Sequence, residues 1–273
     1  MNGVATPAVL EEARDTTRRV ARTFALACRL LPRDLRDDVY LLYLVFRTLD
    51  DVVDDGSPDA AGRVAAVRAW CDGTPGEHTR EVAILADLAS RHDIPRDAMR
   101  EFCAGMEHDL AGATVSSEEE LDRYCYRVAG TVGVVMTGIL GTPEPERARR
   151  AAAALGMAMQ RTNILRDIDE DLANGRVYLA AQSIERFGGS FAPGAREALV
   201  RDQIARADAL YEEGIAGIGL LCHGRRAVAA AAAMYREILR QIEREGYGRQ
   251  PGRAVVPQRR KLVIAARRGA LAR

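Results

Sequence analysis

Along most of the chain apolar residues recur at three- and four-residue spacing, and the period-two alternation of a half-buried strand is hard to find. The pattern therefore predicts helix nearly throughout. Alanine, leucine and arginine, all good helix formers, dominate the sequence. Helix boundaries are expected at Leu31-Pro32-Arg33-Asp34, Gly56-Ser57-Pro58, Gly73-Thr74-Pro75-Gly76, Asp93-Ile94-Pro95, Gly141-Thr142-Pro143, Gly188-Gly189 and Pro251-Gly252. Ser117 and Glu120 form a capping-box signature ahead of the run from Leu121 to Leu140. Within that run, Gly130 to Gly141 (GTVGVVMTGILG) has the apolarity of a strand, but its small residues suit a helix that a second helix or a ligand approaches closely. No Pro-, Gly- or Ser-rich linker and no fixed-period repeat interrupts the chain. The expectation is a single all-α domain over residues 1–273, of roughly ten helices, with frayed ends at about 1–7 and 268–273.

Composition narrows the class. The 273 residues are 48% hydrophobic and 29% charged, which excludes intrinsic disorder. Basic and acidic residues balance at 39 each, so the basic excess of a nucleic-acid binder is missing. Lys261 is the only lysine, and arginine carries the remaining positive charge. The five cysteines are scattered without a C-x-x-C pair, and the four histidines lack metal-ligand spacing, so neither a disulfide framework nor a zinc site is expected. No apolar stretch reaches the ~20 residues of a bilayer span, and no leader segment is visible. A cytoplasmic, reduced protein is the expectation.

Two acidic clusters carry the candidate chemistry. In Val39 to Asp55 (VYLLYLVFRTLDDVVDD), an apolar helix ends in Asp50, Asp51, Asp54 and Asp55. Asp50 and Asp54 share a helix face, flanked by Asp51. Like charges at this spacing repel, and partial burial between valines makes a counter-charge necessary. Hard divalent cations such as Mg²⁺ answer that need, with substrate phosphates and water completing their shell. In Gln160 to Leu179 (QRTNILRDIDEDLANGRVYL), Asn163, Asp167 and Asp171 fall on one face beside Arg166, whose guanidinium suits phosphate. The plainer alternatives are an acidic helix end at the first cluster and a salt-bridged surface helix at the second, with Asp169 and Glu170 simply solvated. Two such clusters on apolar helices, facing each other, would bind several Mg²⁺ ions and a diphosphate leaving group. An aliphatic pocket would shelter the resulting carbocation.

With these residues in view, the chain resembles the squalene/phytoene synthase family of head-to-head prenyl-diphosphate coupling enzymes. Tyr43-x-x-x-Arg47-x-x-Asp50-Asp51-x-x-Asp54 is similar to the family's first aspartate-rich motif. Gln160-x-x-Asn163-Ile164-Leu165-Arg166-Asp167-x-x-x-Asp171, followed by Gly175-Arg176-Val177-Tyr178-Leu179, is similar to the second. Tyr124-Cys125-Tyr126-Arg127-Val128-Ala129-Gly130-Thr131-Val132-Gly133 resembles the segment between them, and the likeness runs from about Arg22 to Lys261.

The resemblance implies an isoprenoid synthase-type helical bundle with a central cavity. It implies Asp50, Asp51, Asp54, Asp167 and Asp171 as ligands of several Mg²⁺ ions. Arg47, Arg166, Asn163, Gln160 and Tyr43 would contact diphosphate, with Tyr124 near the reacting carbons. Arg22-Thr23-Phe24 resembles the family's basic-hydroxyl-Phe segment, with Ala21 where serine is frequent. Gly246-Tyr247 with Arg253 and Lys261 resembles a C-terminal strip that closes over diphosphate, which adds Arg22, Tyr247 and Arg253 to the expected diphosphate contacts. Gly105-Met106 with Asp109 fits the family as well, although Asp109 reads equally as a helix-surface residue.

The implied reaction joins two farnesyl or geranylgeranyl diphosphates through a cyclopropylcarbinyl diphosphate to a C30 or C40 product. Alternatives are a single-substrate terpene synthase on the same fold and a non-catalytic helical scaffold. NADPH is not favoured, since no G-x-G-x-x-G fingerprint occurs. Periodicity places Cys28 and Tyr40 as candidate tunnel residues that limit chain length. Greasy substrate and product make loose contact with the inner membrane face compatible with the sequence, with no anchor visible.

Overall fold

The computed structural model describes residues 6–112 and 114–271. Among the described residues the chain forms fourteen α-helices and no strand. They are α1 (Pro7–Val20), α2 (Arg22–Cys28), α3 (Arg33–Asp54), α4 (Ala60–Asp72), α5 (Arg80–Ala89), α6 (Arg96–Leu110) and α7 (Glu118–Cys125). A π-helical turn (Tyr126–Gly130) leads into α8 (Thr131–Leu140), α9 (Pro145–Arg166), α10 (Ile168–Ala173) and α11 (Ala181–Arg186). Next come α12 (Glu197–Ala216), a 3₁₀ turn (Ile218–Leu220), α13 (Arg225–Arg244) and α14 (Gln258–Leu271).

Each expected boundary falls between helices. Pro32 precedes the first turn of α3, where its missing N–H has no partner to lose. Gly73 closes α4 in the left-handed conformation that lacks a steric cost only for glycine. The Ser117 hydroxyl accepts the Glu120 N–H at 3.2 Å as the expected capping box requires, while the Glu120 carboxylate returns to the N–H of Ser116, one residue before the cap, at 2.7 Å.

The helix count exceeds the expected ten, in part through breaks at Ala21 between α1 and α2, at the π turn Tyr126–Gly130 between α7 and α8, and at Asp167 between α9 and α10. Of the ends expected to fray, residues 1–5, 272 and 273 lie outside the described residues. Thr6 caps α1, Pro7 opens it, and α14 extends to Leu271.

Two large apolar clusters hold the helices together. The first centres on α3, whose Leu42, Val45 and Leu49 are fully buried with Met99, Phe102 and Met106 of α6 and Val135 of α8. Phe46 meets Phe102 edge to face at 4.7 Å between ring centroids. The second gathers α7, α9, α12 and α13 around Tyr211, whose hydroxyl is satisfied by Thr162 at 3.0 Å.

The Gly130–Gly141 segment is helical, as its small residues suggested, and the close approach is literal. A Cβ on Gly156 of α9 would collide with the Ala129 carbonyl, and one on Gly133 with the Ala152 carbonyl. This contact sets α9 tightly against the π turn and α8, and α8 in turn packs on α3. None of the described helices is long and apolar enough to cross a membrane.

Candidate active site

The first acidic segment occupies the last turns of α3. Apolar residues anchor one side of this helix in the core, while Tyr43, Arg47, Asp50 and Asp54 follow one another at helical spacing on a less buried face. Arg47 donates to Asp50 at 3.1 Å and also pairs with Asp51. The C-terminal end of a helix carries partial negative charge, so carboxylates concentrated there are held against the helix dipole. Burial first, and the Asp54 carboxylate second, push Asp50 up to about 6 against the pull of Arg47. Burial also raises the half-buried Tyr43 phenol to about 12 and keeps it protonated. Its ring lies 5.4 Å from that of Phe24 on α2.

The second segment straddles the break at Asp167. The backbone there leaves α-helical geometry, yet Asp167 N–H still reaches Asn163 C=O at 2.9 Å and Asp171 N–H reaches Asp167 C=O at 2.8 Å. Asn163, Asp167 and Asp171 therefore keep their shared face. Arg166 grips Asp167 with two bonds of 2.8 and 2.5 Å, and Arg253 approaches the same carboxylate at 2.9 Å. Gln160 accepts from Asn163 at 3.3 Å, which leaves the Asn163 carbonyl oxygen buried without a partner. Burial, followed by the neighbouring Asp167 and Glu170, raises Asp171 to about 6.

One residue joins the two segments. Arg176, beyond α10, donates to the Asp54 carboxylate at 2.6 Å, linking positions 122 residues apart. Tyr178 follows it, and its ring stacks on Tyr124 at 5.5 Å and 20°. The buried Tyr124 hydroxyl donates a long hydrogen bond of 3.4 Å to Asp109 on α6. Burial raises the half-buried Asp109 to about 7, and Asp50 and Asp54 add to that shift, so all three carboxylates share one electrostatic neighbourhood. Tyr124 is held protonated well above its ordinary range, by burial and then by Asp109.

Cations gather around Lys261. The Lys261 ammonium lies 3.2 Å from the Thr23 hydroxyl, with its pKa lowered by burial and then by Arg166, Arg22 and Arg253. Arg22 and Lys261 line a cavity of about 680 Å³ that also receives Arg18, Arg29, Arg33 and Tyr40. Cys28, the other proposed tunnel residue, is buried in the α3 core beside Tyr40. Tyr247 turns elsewhere: its hydroxyl accepts from Arg201 of α12 at 2.7 Å, and that guanidinium stacks 3.7 Å over the ring.

Four residues here make contacts that their place in the sequence does not mark: Arg176 with Asp54, Tyr178 with Tyr124, Asp109 with Tyr124 and Lys261 with Thr23. A carboxylate one turn from a Gly-Met pair was the available signal for Asp109.

The donor set suits a small hard cation shared with diphosphate. Among the described residues no three carboxylates, imidazoles or thiols are grouped so that they alone could hold a metal ion. The aspartates instead form two short sets, at the end of α3 and across the α9–α10 break, joined through Arg176 and Asp54, and Mg²⁺ takes few carboxylates and fills its shell with water and phosphate oxygens. Asp50 and Asp171, both raised to about 6 in a neighbourhood rich in like charge, are the groups that such a cation would relieve.

Comparison with known proteins finds relatives that span nearly the whole chain. The squalene/phytoene synthase family profile matches residues 17–260. A phytoene synthase from Thermus thermophilus is 39% identical over 260 residues, which is 88% of this chain and 87% of that protein. The crystal structure of a dehydrosqualene synthase in complex with a ligand superposes with a TM-score of 0.87 at 26% identity, covering 97% of this chain and 96% of that one. A squalene synthase structure from Alicyclobacillus acidocaldarius gives a TM-score of 0.77 at 26% identity, covering 90% and 99%.

Proposed function

The chain belongs to the squalene/phytoene synthase family, and on that footing we propose that it couples two molecules of geranylgeranyl diphosphate head to head to a C40 hydrocarbon of the phytoene type. The observation that carries the reading is the Arg176–Asp54 bridge, which brings the two aspartate segments to one site. The choice of a C20 substrate draws on the sequence relatives, which are named phytoene synthases. The whole chain acts in this proposal as one domain, since α9 packs against α8, α12 and α13.

In the first half-reaction the allylic C1–O bond of one substrate breaks and its electron pair leaves with diphosphate. The C2=C3 alkene of the second substrate attacks the cation, and loss of one proton closes a cyclopropylcarbinyl diphosphate. Breakage of its C–O bond, rearrangement and loss of a second proton give the coupled product and a second diphosphate. No reductant enters this balance, so NADPH is not required.

Arg47, Arg166, Arg253, Arg22 and Lys261 supply the positive charge that binds the two diphosphates, Arg166 and Arg253 with planar guanidinium forks. Asn163, Gln160 and Tyr43 offer neutral polar contacts beside them. Mg²⁺ bound by Asp50, Asp51, Asp54, Asp167 and Asp171 would neutralise charge on the leaving diphosphate oxygens. Tyr124, kept protonated and stacked on Tyr178, presents a π face and a hydroxyl to the reacting carbons. Aliphatic side chains of α3, α6 and α8 keep water from the cations.

Peripheral contact with a bilayer belongs to the same proposal. It is supported by exposed Leu30, Leu262 and Val263 near Arg29 and Arg33. The test of the whole reading is incubation with Mg²⁺ and either geranylgeranyl or farnesyl diphosphate, with and without NADPH. Mass spectrometry would follow the hydrocarbon, alongside a count of released diphosphate. A C40 product formed without NADPH, and lost in Asp50→Ala and Asp167→Ala, is the expected result. A C30 product would overturn the substrate assignment, and a C20 hydrocarbon alone would overturn the coupling.

A further inference from the structure

Asp169 lies between two aspartates of the second motif, yet its side chain leaves their face. Its two oxygens accept from the Arg196 guanidinium at 2.6 and 2.7 Å, and one of them also accepts the Gly252 N–H at 2.7 Å. Arg196, only 3% exposed, extends the grip by donating to the Gly248 carbonyl at 3.2 Å and the Phe191 carbonyl at 3.3 Å. Three pieces of chain thus converge on one ion pair: α10, the residues leading into α12, and the strip between α13 and α14.

That strip has an unusual backbone. Gly246, Tyr247, Gly248 and Gly252 all have positive φ, and Tyr247 is the one residue among them with a side chain. A non-glycine residue in the left-handed region is strained and persists only where its surroundings hold it. The Asp169–Arg196 pair supplies two of those holds, at Gly248 and Gly252. Directly after Gly252 comes Arg253, whose guanidinium reaches Asp167. Arg196 is buried and Asp169 partly so, and desolvation offsets much of the attraction in such a pair, so a gain in local geometry is the better account of this one.

We propose that Asp169 and Arg196 are positioning residues that clamp the strip 246–253 to α10 and so set the place of the Arg253 guanidinium at the diphosphate. This rests on the reading of Arg253 as a diphosphate ligand.

The test uses the full-length protein and the variants Asp169→Asn, Arg196→Lys, Arg253→Ala and Asp169→Asn/Arg253→Ala. KM for geranylgeranyl diphosphate and the inhibition constant of inorganic diphosphate with Mg²⁺ are measured for each, with hydrogen exchange over residues 246–253. Asp169→Asn and Arg196→Lys should each raise both constants about tenfold, the scale of one charge-assisted hydrogen bond. Amide exchange should accelerate in the strip. In the Arg253→Ala background, Asp169→Asn should add no further loss.

An equal loss with and without Arg253 would mean that the pair only stabilises α10, and the proposal would fail. Unchanged exchange in the strip, or unchanged constants in both single variants beside an impaired Arg253→Ala, would also overturn it. If Arg253→Ala itself leaves diphosphate inhibition untouched, the reading of Arg253 as a ligand is what fails, and the proposal falls with it. Arg196→Lys keeps a cation opposite Asp169, so the question stays answerable if Asp169→Asn folds poorly.

Discussion

Lowering the pH from 7.5 to 5.5 in the presence of a chelator should make this protein more stable, the reverse of ordinary acid behaviour. Asp50 and Asp171 titrate at about 6 and Asp109 at about 7, against 3.8 for an unperturbed aspartate, and burial is the first cause in all three. In this window the native state takes up protons that the unfolded chain does not, so stability grows as pH falls. The carboxylates held below their ordinary range, among them Glu12, Glu81, Glu118 and Asp169, act in the opposite sense. Their contribution is lost only as pH falls further, below about 4.5, outside the window.

Unscreened, the three aspartates would contribute about 3.5 kcal/mol across the two pH units. Asp50 keeps 44% of its side chain open to solvent, and protonating one member of the group eases the others, so about 2 kcal/mol is the working figure. For a chain of this length that raises Tm by about 3 to 4 °C. Thermal melts followed by circular dichroism in EDTA would measure it, with Asp50→Asn/Asp109→Asn/Asp171→Asn as the control that removes the rise. A lower Tm at pH 5.5, falling in parallel in wild type and control, would refute the electrostatic account of the site.

Three further outcomes are expected. Arg176→Ala should lower kcat/KM about tenfold while costing under ~1 kcal/mol of stability, because its pair with Asp54 is half exposed; equal loss of both would argue that the bridge is merely structural. Gly156→Ala should destabilise the fold by about 2 to 3 kcal/mol, seen as a lower urea midpoint, since the new Cβ meets the Ala129 carbonyl and not a movable side chain. Sedimentation with anionic phospholipid vesicles should retain the wild type and lose at least about half of the Leu262→Asp/Val263→Asp variant, and equal retention would remove this face from the membrane reading.

The helical fold was legible because periodicity and turn chemistry are local, and every Gly- or Pro-marked boundary holds. Breaks without such a marker were not: nothing in Asp167 itself announces that α9 ends there. The acidic stripes were legible for the same reason, since Asp50 and Asp54, or Asp167 and Asp171, meet within one turn. What joins the stripes is tertiary. Arg176 reaches Asp54 across 122 positions, and no spacing rule encodes that. Asp169 reads as a solvated acid because its neighbours are acidic, whereas its partner Arg196 arrives from the segment before α12. Cys28, Cys71, Cys103 and Cys125 are buried and Cys222 exposed, all as free thiols.

The distribution of partners also explains why a site so rich in aspartate tolerates so many arginines. Asp50 and Asp51 pair with Arg47, Asp54 with Arg176, and Asp167 with both Arg166 and Arg253. Carboxylates left alone in such a place would protonate or demand water, and guanidinium groups left alone would repel one another; the Lys261 ammonium among them is lowered by burial first and by Arg166, Arg22 and Arg253 second. Under the proposed function, diphosphate and a divalent metal would bring both signs together, with arginine passing from carboxylate to phosphate and carboxylate from arginine to metal. Neither set would then be left as a bare charge, which would keep the desolvation cost of entry low. Selectivity for a metal-bound diphosphate would follow, because a lone anion would satisfy the arginines and leave the aspartates unpaired, and a lone cation would do the converse.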